Sequence, residues 1–149
     1  MSLIEKINED MKVAMKSQDK ETLNVIRMVK SAVQMAKIEL KHDLSDEEVV
    51  DVVSKQIKMR KDSIAEFSKA SRDDLVEQYQ SEIEILNKYM PEQLSIEEVN
   101  KIIDEAFATI NPTSQKQMGL IMKEVNPKLR GKFDMGEVSK IIRDKLSNL

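Results

Sequence analysis

Two groups of cationic residues have the types and spacing for chemistry with phosphate. Arg27, Lys30, Gln34, Lys37 and Lys41 recur at three- and four-residue intervals. At ~100° per residue they share one narrow helical face with no acid in the row. A second group, Lys116, Lys123, Lys128, Arg130 and Lys132, is opposed within residues 114–132 only by Glu124. Both residue types neutralise phosphate and release its counterions, a large part of affinity for nucleic acid. Arg130-Gly131-Lys132 falls in an expected loop, where backbone N–H groups also approach an anion. Only Phe133 is nearby as a stacking platform, so the pattern suits a reader of shape and phosphate rather than of bases.

A third arginine reads differently. In IKMRKDSIAEF, residues 57–67, Arg60 shares a helical stripe with Ile57, Ile64 and Phe67. A charge on an apolar face is costly unless paired, and Glu82 borders the apolar face of the next expected helix, beside Leu75, Tyr79 and Leu86. An Arg60–Glu82 ion pair, structural rather than catalytic, is the expectation. The opposite face mixes Lys55, Lys58 and Lys61 with Asp62 and Glu66, the composition of a solvated surface.

Catalytic groupings are sparse. The chain has no Cys, one His and three Gly in 149 residues, which excludes thiolate chemistry and both common glycine-rich phosphate loops. His42 sits beside Asp43 in an expected loop, and Ser63, Ser68 and Ser71 have no histidine to activate them. The acids Asp46, Glu47, Glu48 and Asp51 complement the dipole of a first helical turn and lack the glycine of a calcium loop. No catalytic residue, metal site or cofactor is expected. The net charge of −3 speaks against a generally basic binder, and neither DNA nor a membrane is an expected partner. With no signal-like segment or long apolar run, the expected location is cytoplasmic.

The elements that must position these residues are helices throughout. Ser2 with Glu5 forms a capping box before the stripe Leu3, Ile7, Met11 and Ala14. Asp19 caps a second helix to about Lys41, whose broad apolar arc makes it the expected most buried of the first four. Ser45 with Glu48 opens a third helix to about Lys69, and Ser71 with Asp74 a fourth, stopped by Pro91. Ser95 with Glu98 begins a fifth, a sixth carries Met118, Ile121, Met122 and Val125 to Asn126-Pro127, and Asp134 with Glu137 caps the last. The fold class is therefore all-α: an N-terminal four-helix, bundle-like subdomain over 1–91 and a small three-helix subdomain over 92–149, with the boundary in MPEQLS, residues 90–95.

Four segments carry a family resemblance: RMVKSAVQMAKIE (27–39), KQIKMRKDSIAEFSKASRDDL (55–75), EILNKYMPEQLSIEEV (84–99) and KQMGLIMKEVNPKLRGKFDMGEVSKIIRDKL (116–146). Over nearly the whole chain they resemble the YqeY family. That family is similar to the helical tail domain of the B subunit of aspartyl/glutamyl-tRNA amidotransferase. The resemblance implies two helical subdomains and, as in the tail, contact with the outer corner of tRNA while chemistry occurs on other domains. It makes a tRNA-binding accessory module the expected function. It also associates the chain with carbon–nitrogen ligases that use glutamine as amide donor, and so with a protein partner in tRNA-dependent amidation. A helical protein-interaction adaptor is the remaining alternative. DMGEV, residues 134–138, departs from a D-G-K pattern frequent in the family and removes one cation from the implied RNA face.

Overall fold

A computed structural model describes the whole chain, Met1–Leu149, and it is all α-helical, without a strand. The helices are α1 (Leu3–Ser17), α2 (Lys20–Leu40), α3 (Asp46–Lys69), α4 (Asp73–Asn87), α5 (Ile96–Ile110), α6 (Met118–Leu129) and α7 (Met135–Ser147), with a 3₁₀ turn at Gln115–Gln117 before α6. The chain divides into two compact units, Met1–Met90 and Pro91–Leu149. No helix is long and apolar enough to cross a membrane.

Local chemistry sets the helix starts. Ser2 and Ser45 each accept a hydrogen bond from the backbone three residues on, and Glu5 and Glu48 reciprocate, closing two full capping boxes. Ser95 caps the Glu98 N–H, but the Glu98 carboxylate takes the Ser95 hydroxyl instead of the backbone, leaving half a box. α4 departs from expectation. Ser71 lies in the left-handed region at φ 57°, and its N–H donates to Ser68 O. It therefore closes α3 rather than opening α4, and Arg72 becomes an N-cap with no side-chain acceptor. With only three glycines available, Gln18, Lys41 and Asn111 also adopt positive φ at helix C-termini, a conformation that costs roughly 1–2 kcal/mol for a residue with Cβ.

Asp19 caps α2 by accepting from the Thr22 N–H at 3.1 Å and from its hydroxyl at 2.7 Å. These bonds, the hydroxyl's first, hold the Asp19 carboxyl below its usual range. A depressed folded-state pKa stabilises above the unfolded value, and that contribution disappears as pH falls through the folded one. The melting-temperature gap between the natural chain and Asp19→Ala is accordingly expected to be wide at pH 7 and to narrow at pH 2. Thermal denaturation at the two pH values measures it, and a constant gap would show that the carboxylate charge is irrelevant to the cap.

In the first unit Ile7, Val25, Ile26, Val29, Val49, Val53, Ile57, Ile85 and Leu86 form a continuous buried core. Phe67 and Tyr79 meet edge to face at 5.3 Å at its periphery. Tyr89, also buried, donates to Asp10 Oδ2 at 2.6 Å and lies under the Lys6 ammonium. The second unit is built on Val99, Ile103, Ile121, Val125, Leu129, Val138 and Ile142. Asn126-Pro127 does not end α6, which runs on to Leu129. Pro127, which has no N–H to give the Lys123 carbonyl one turn back, is exposed, whereas Leu129 is fully buried and draws the last turn onto the core.

The expectation that α2 is the most buried of the first four helices is overturned. Its first half buries Val25, Ile26 and Val29, but Met28, Met35, Ile38 and Leu40 are exposed. At 21 residues α2 is longer than α1 and α4, at 15 each, so those two cannot flank it along its whole length.

Candidate nucleic-acid interface

The row Arg27, Lys30, Gln34 and Lys37 runs along α2, with Lys41 as its C-cap. From Arg27 to Lys41 it extends about 21 Å at 1.5 Å per residue. Arg27, Gln34, Lys37 and Lys41 are exposed, whereas Lys30 is half-buried with its ammonium 3.9 Å from the Met11 sulfur. Part of the row lines a cleft of about 450 Å3 whose apolar floor is Ile4, Ile7, Val33 and Leu44.

The helix row has no acid of its own, but its neighbours supply them. Lys37 Nζ pairs with Asp43 Oδ1 at 2.8 Å, and Glu5 lines the same cleft. The hydrogen bond from Lys37, reinforced by its charge, holds the Asp43 carboxyl below its usual range. An incoming phosphate must therefore compete with Asp43 for Lys37, while Arg27 and Lys41 stand at the row's two ends. Tertiary packing brought in Asp43 and Glu5 from a loop and from α1, which a helical wheel of α2 alone does not display.

The second group is divided by α6. Lys128 lies in the last turn of α6, Arg130 is its C-cap and Lys132 follows, so these three cluster at one end. Lys116 sits in the 3₁₀ turn before the helix, about 18 Å away along twelve residues. Lys123 and Lys128 are five positions apart and so about 140° apart around the helix, which puts them on different faces. Lys128 also pairs with Glu124 at 3.4 Å. The loop itself is built rather than loose. Gly131 takes φ 76°, its carbonyl accepts from Gln93 Nε2 at 2.8 Å, and the Lys132 carbonyl accepts from the Leu94 N–H at 2.9 Å.

Arg60 belongs to neither group. Its Nε donates to Glu82 Oε1 at 3.0 Å, with the two side chains only 5% and 10% exposed. One terminal nitrogen donates to the Gln56 carbonyl at 3.2 Å and side-chain oxygen at 3.0 Å, and the other lies 3.4 Å from the Met28 sulfur. Gln78 Nε2 donates to Glu82 Oε2 at 3.1 Å. The arrangement fastens α2, α3 and α4 to one another and has architectural, not catalytic, geometry. The glutamines at 56 and 78 each lie four residues from a member of the pair on its own helix, a spacing from which they could have been nominated. The Met28 contact has no such signal. His42, the lone imidazole, is exposed and meets the Asp43 carbonyl at 2.8 Å and Glu48 at 3.4 Å.

The profile of the YqeY family, described as Yqey-like protein, matches residues 4–146. The chain belongs to the YqeY family. Its relatives include the Altered inheritance of mitochondria protein 41, mitochondrial, of Pyrenophora tritici-repentis, 29% identical across 95% of this chain and 80% of that protein. The Saccharomyces cerevisiae protein of the same name is 37% identical over 78% of this chain and 66% of its own length, and that of Kluyveromyces lactis 32% over 89% and 71%. The chain thus spans just under two thirds of the yeast relative. These relatives are named as mitochondrial proteins, which overturns the expectation of a cytoplasmic location. The absence of a signal-like or apolar segment could not have carried that expectation, because such segments report export and membrane insertion only. The YqeY match extends from α1 into α7 and includes both cation groups as well as Arg60 and Glu82.

Proposed function

We propose that this YqeY-family protein is a tRNA-binding accessory module that leaves chemistry to other proteins. The observation that carries the reading is the row on α2, where Arg27, Lys30, Lys37 and Lys41 recur along one face without an acid of the same helix among them. Lys128, Arg130 and Lys132 at one end of α6, with Lys116 at the other, supply a second set of phosphate contacts. The resemblance to the amidotransferase tail, whose place is the outer corner of tRNA, supports tRNA as the polyanion. Without stacking aromatics beside either set, the mode is recognition of backbone and shape.

Titration of the purified chain with tRNA tests the proposal. Affinity is expected to fall linearly with salt on logarithmic axes, with a slope of ~−0.7 for each phosphate contacted in unpaired segments. Reversing the two exposed end cations, Arg27→Glu with Lys41→Glu, is expected to weaken binding by ~10-fold or more and to make the slope shallower. An absence of tRNA binding even at low salt would falsify the reading.

A further inference from the structure

We infer that α2 carries a second interaction surface: its exposed apolar stripe docks an amphipathic helix of another protein, acidic along one edge. Met28, Met35 and Ile38 are 51%, 71% and 67% exposed and recur at seven and three residues on a single helix. Scattered exposed apolar residues are ordinary, but a row on one face marks an interaction site. Small polar Ser31 lies between the two methionines, which leaves room for a partner's side chains, and flexible thioethers adapt to varied apolar shapes. Met28, Met35 and Ile38 lie beside the cation row and share its Arg27 and Lys41 as a border, so docking there does not require that the row bind tRNA.

The borders of the stripe choose the occupant. Arg27, Gln34 and Lys41 form one border at seven-residue spacing. The other border is Val25, Ala32 and Glu39, of which Val25 is buried and Ala32 half-buried in the unit's own packing. A second copy packed antiparallel on this face would set the cation border against its own equivalent, like charge against like. A parallel copy would set Arg27 and Lys41 against the other border, where Val25 and Ala32 are taken up by the unit's own packing and only Glu39 of the three is exposed. What fits is a foreign helix with apolar residues at three- and four-residue spacing and Asp or Glu along the edge facing Arg27 and Lys41.

The test uses the full chain and two synthetic helical peptides, each with leucine at alternating three- and four-residue spacing, one with glutamate and one with lysine along the flanking edge. By fluorescence anisotropy the glutamate peptide is expected to bind ~10-fold or more tightly than its lysine twin at low salt. Met35→Asp with Ile38→Asp is expected to abolish that binding. Both positions are exposed, so circular dichroism of the variant should match the natural chain. Arg27→Glu with Lys41→Glu is expected to reverse the preference between the peptides. Equal binding of the two peptides, or binding that survives Met35→Asp with Ile38→Asp, overturns the inference. So does a concentration-dependent dimer in sedimentation that the same double substitution abolishes, because the face would then belong to a second copy.

Discussion

Glu82→Ala is expected to lower the unfolding free energy by about 3–5 kcal/mol, the range for stranding one charge of a buried pair. The guanidinium of Arg60 would keep Gln56 and the Met28 sulfur but lose its only carboxylate. Neither a neutral amide nor a thioether balances a charge removed from water. Arg60→Met in the same chain as Glu82→Leu is expected to recover most of the loss, because apolar side chains of similar volume carry no desolvation penalty. Denaturant titration of the natural chain, Glu82→Ala, Arg60→Met, Glu82→Leu and the Arg60→Met, Glu82→Leu double variant measures the loss and closes the cycle. If Glu82→Ala costs less than about 1 kcal/mol, water reaches Arg60 and the pair is not the joint that fastens α2, α3 and α4.

Ile142→Ala is the second change with a large expected effect. Ile142 is fully buried in the second unit, in one core with Val99, Ile103, Ile121, Val125, Leu129 and Val138. Removing its outer carbons is expected to cost about 2–5 kcal/mol, from lost transfer energy together with the cavity left behind. A unit of about 60 residues, Pro91–Leu149, buries only ~60% of the surface its unfolded chain exposes, so its margin is thin. Amide exchange in α5, α6 and α7 should speed by a factor of roughly 30 or more, the equivalent of 2 kcal/mol. Ile142→Val, which removes one methyl group, is expected to cost only about 0.5–1.5 kcal/mol. Equal effects from the two substitutions would mean that the core collapses around the site and holds no cavity.

What was readable along the chain was whatever depends on neighbours within a few residues. The boxes at Ser2–Glu5 and Ser45–Glu48 are complete because donor and acceptor lie within one turn. Ser71 with Asp74 read as the start of α4, but the start fell to how α3 ends, with Ser71 spent on a left-handed closing residue. Pro127 carries a strong local stop signal, yet burial of Leu129 outweighs the one hydrogen bond that a proline cannot donate. The cation row on α2 follows from spacing alone, but its electrostatic setting does not, since Asp43 and Glu5 arrive from other elements.

By itself the sequence determined an all-α chain, the seven helices and the cation row of α2, because helical periodicity and capping are short-range properties of the backbone. It also singled out Arg60, since a charge at an apolar position demands a partner wherever the helix lies. Tertiary structure alone decided that Met28 meets the Arg60 guanidinium, that Lys37 is tied to Asp43, and that Met35 and Ile38 face water rather than a core. An apolar residue on a helix records only that it can be buried. Whether it is buried depends on the lengths and placement of the neighbouring helices, and α2, at 21 residues, is longer than the 15-residue α1 and α4.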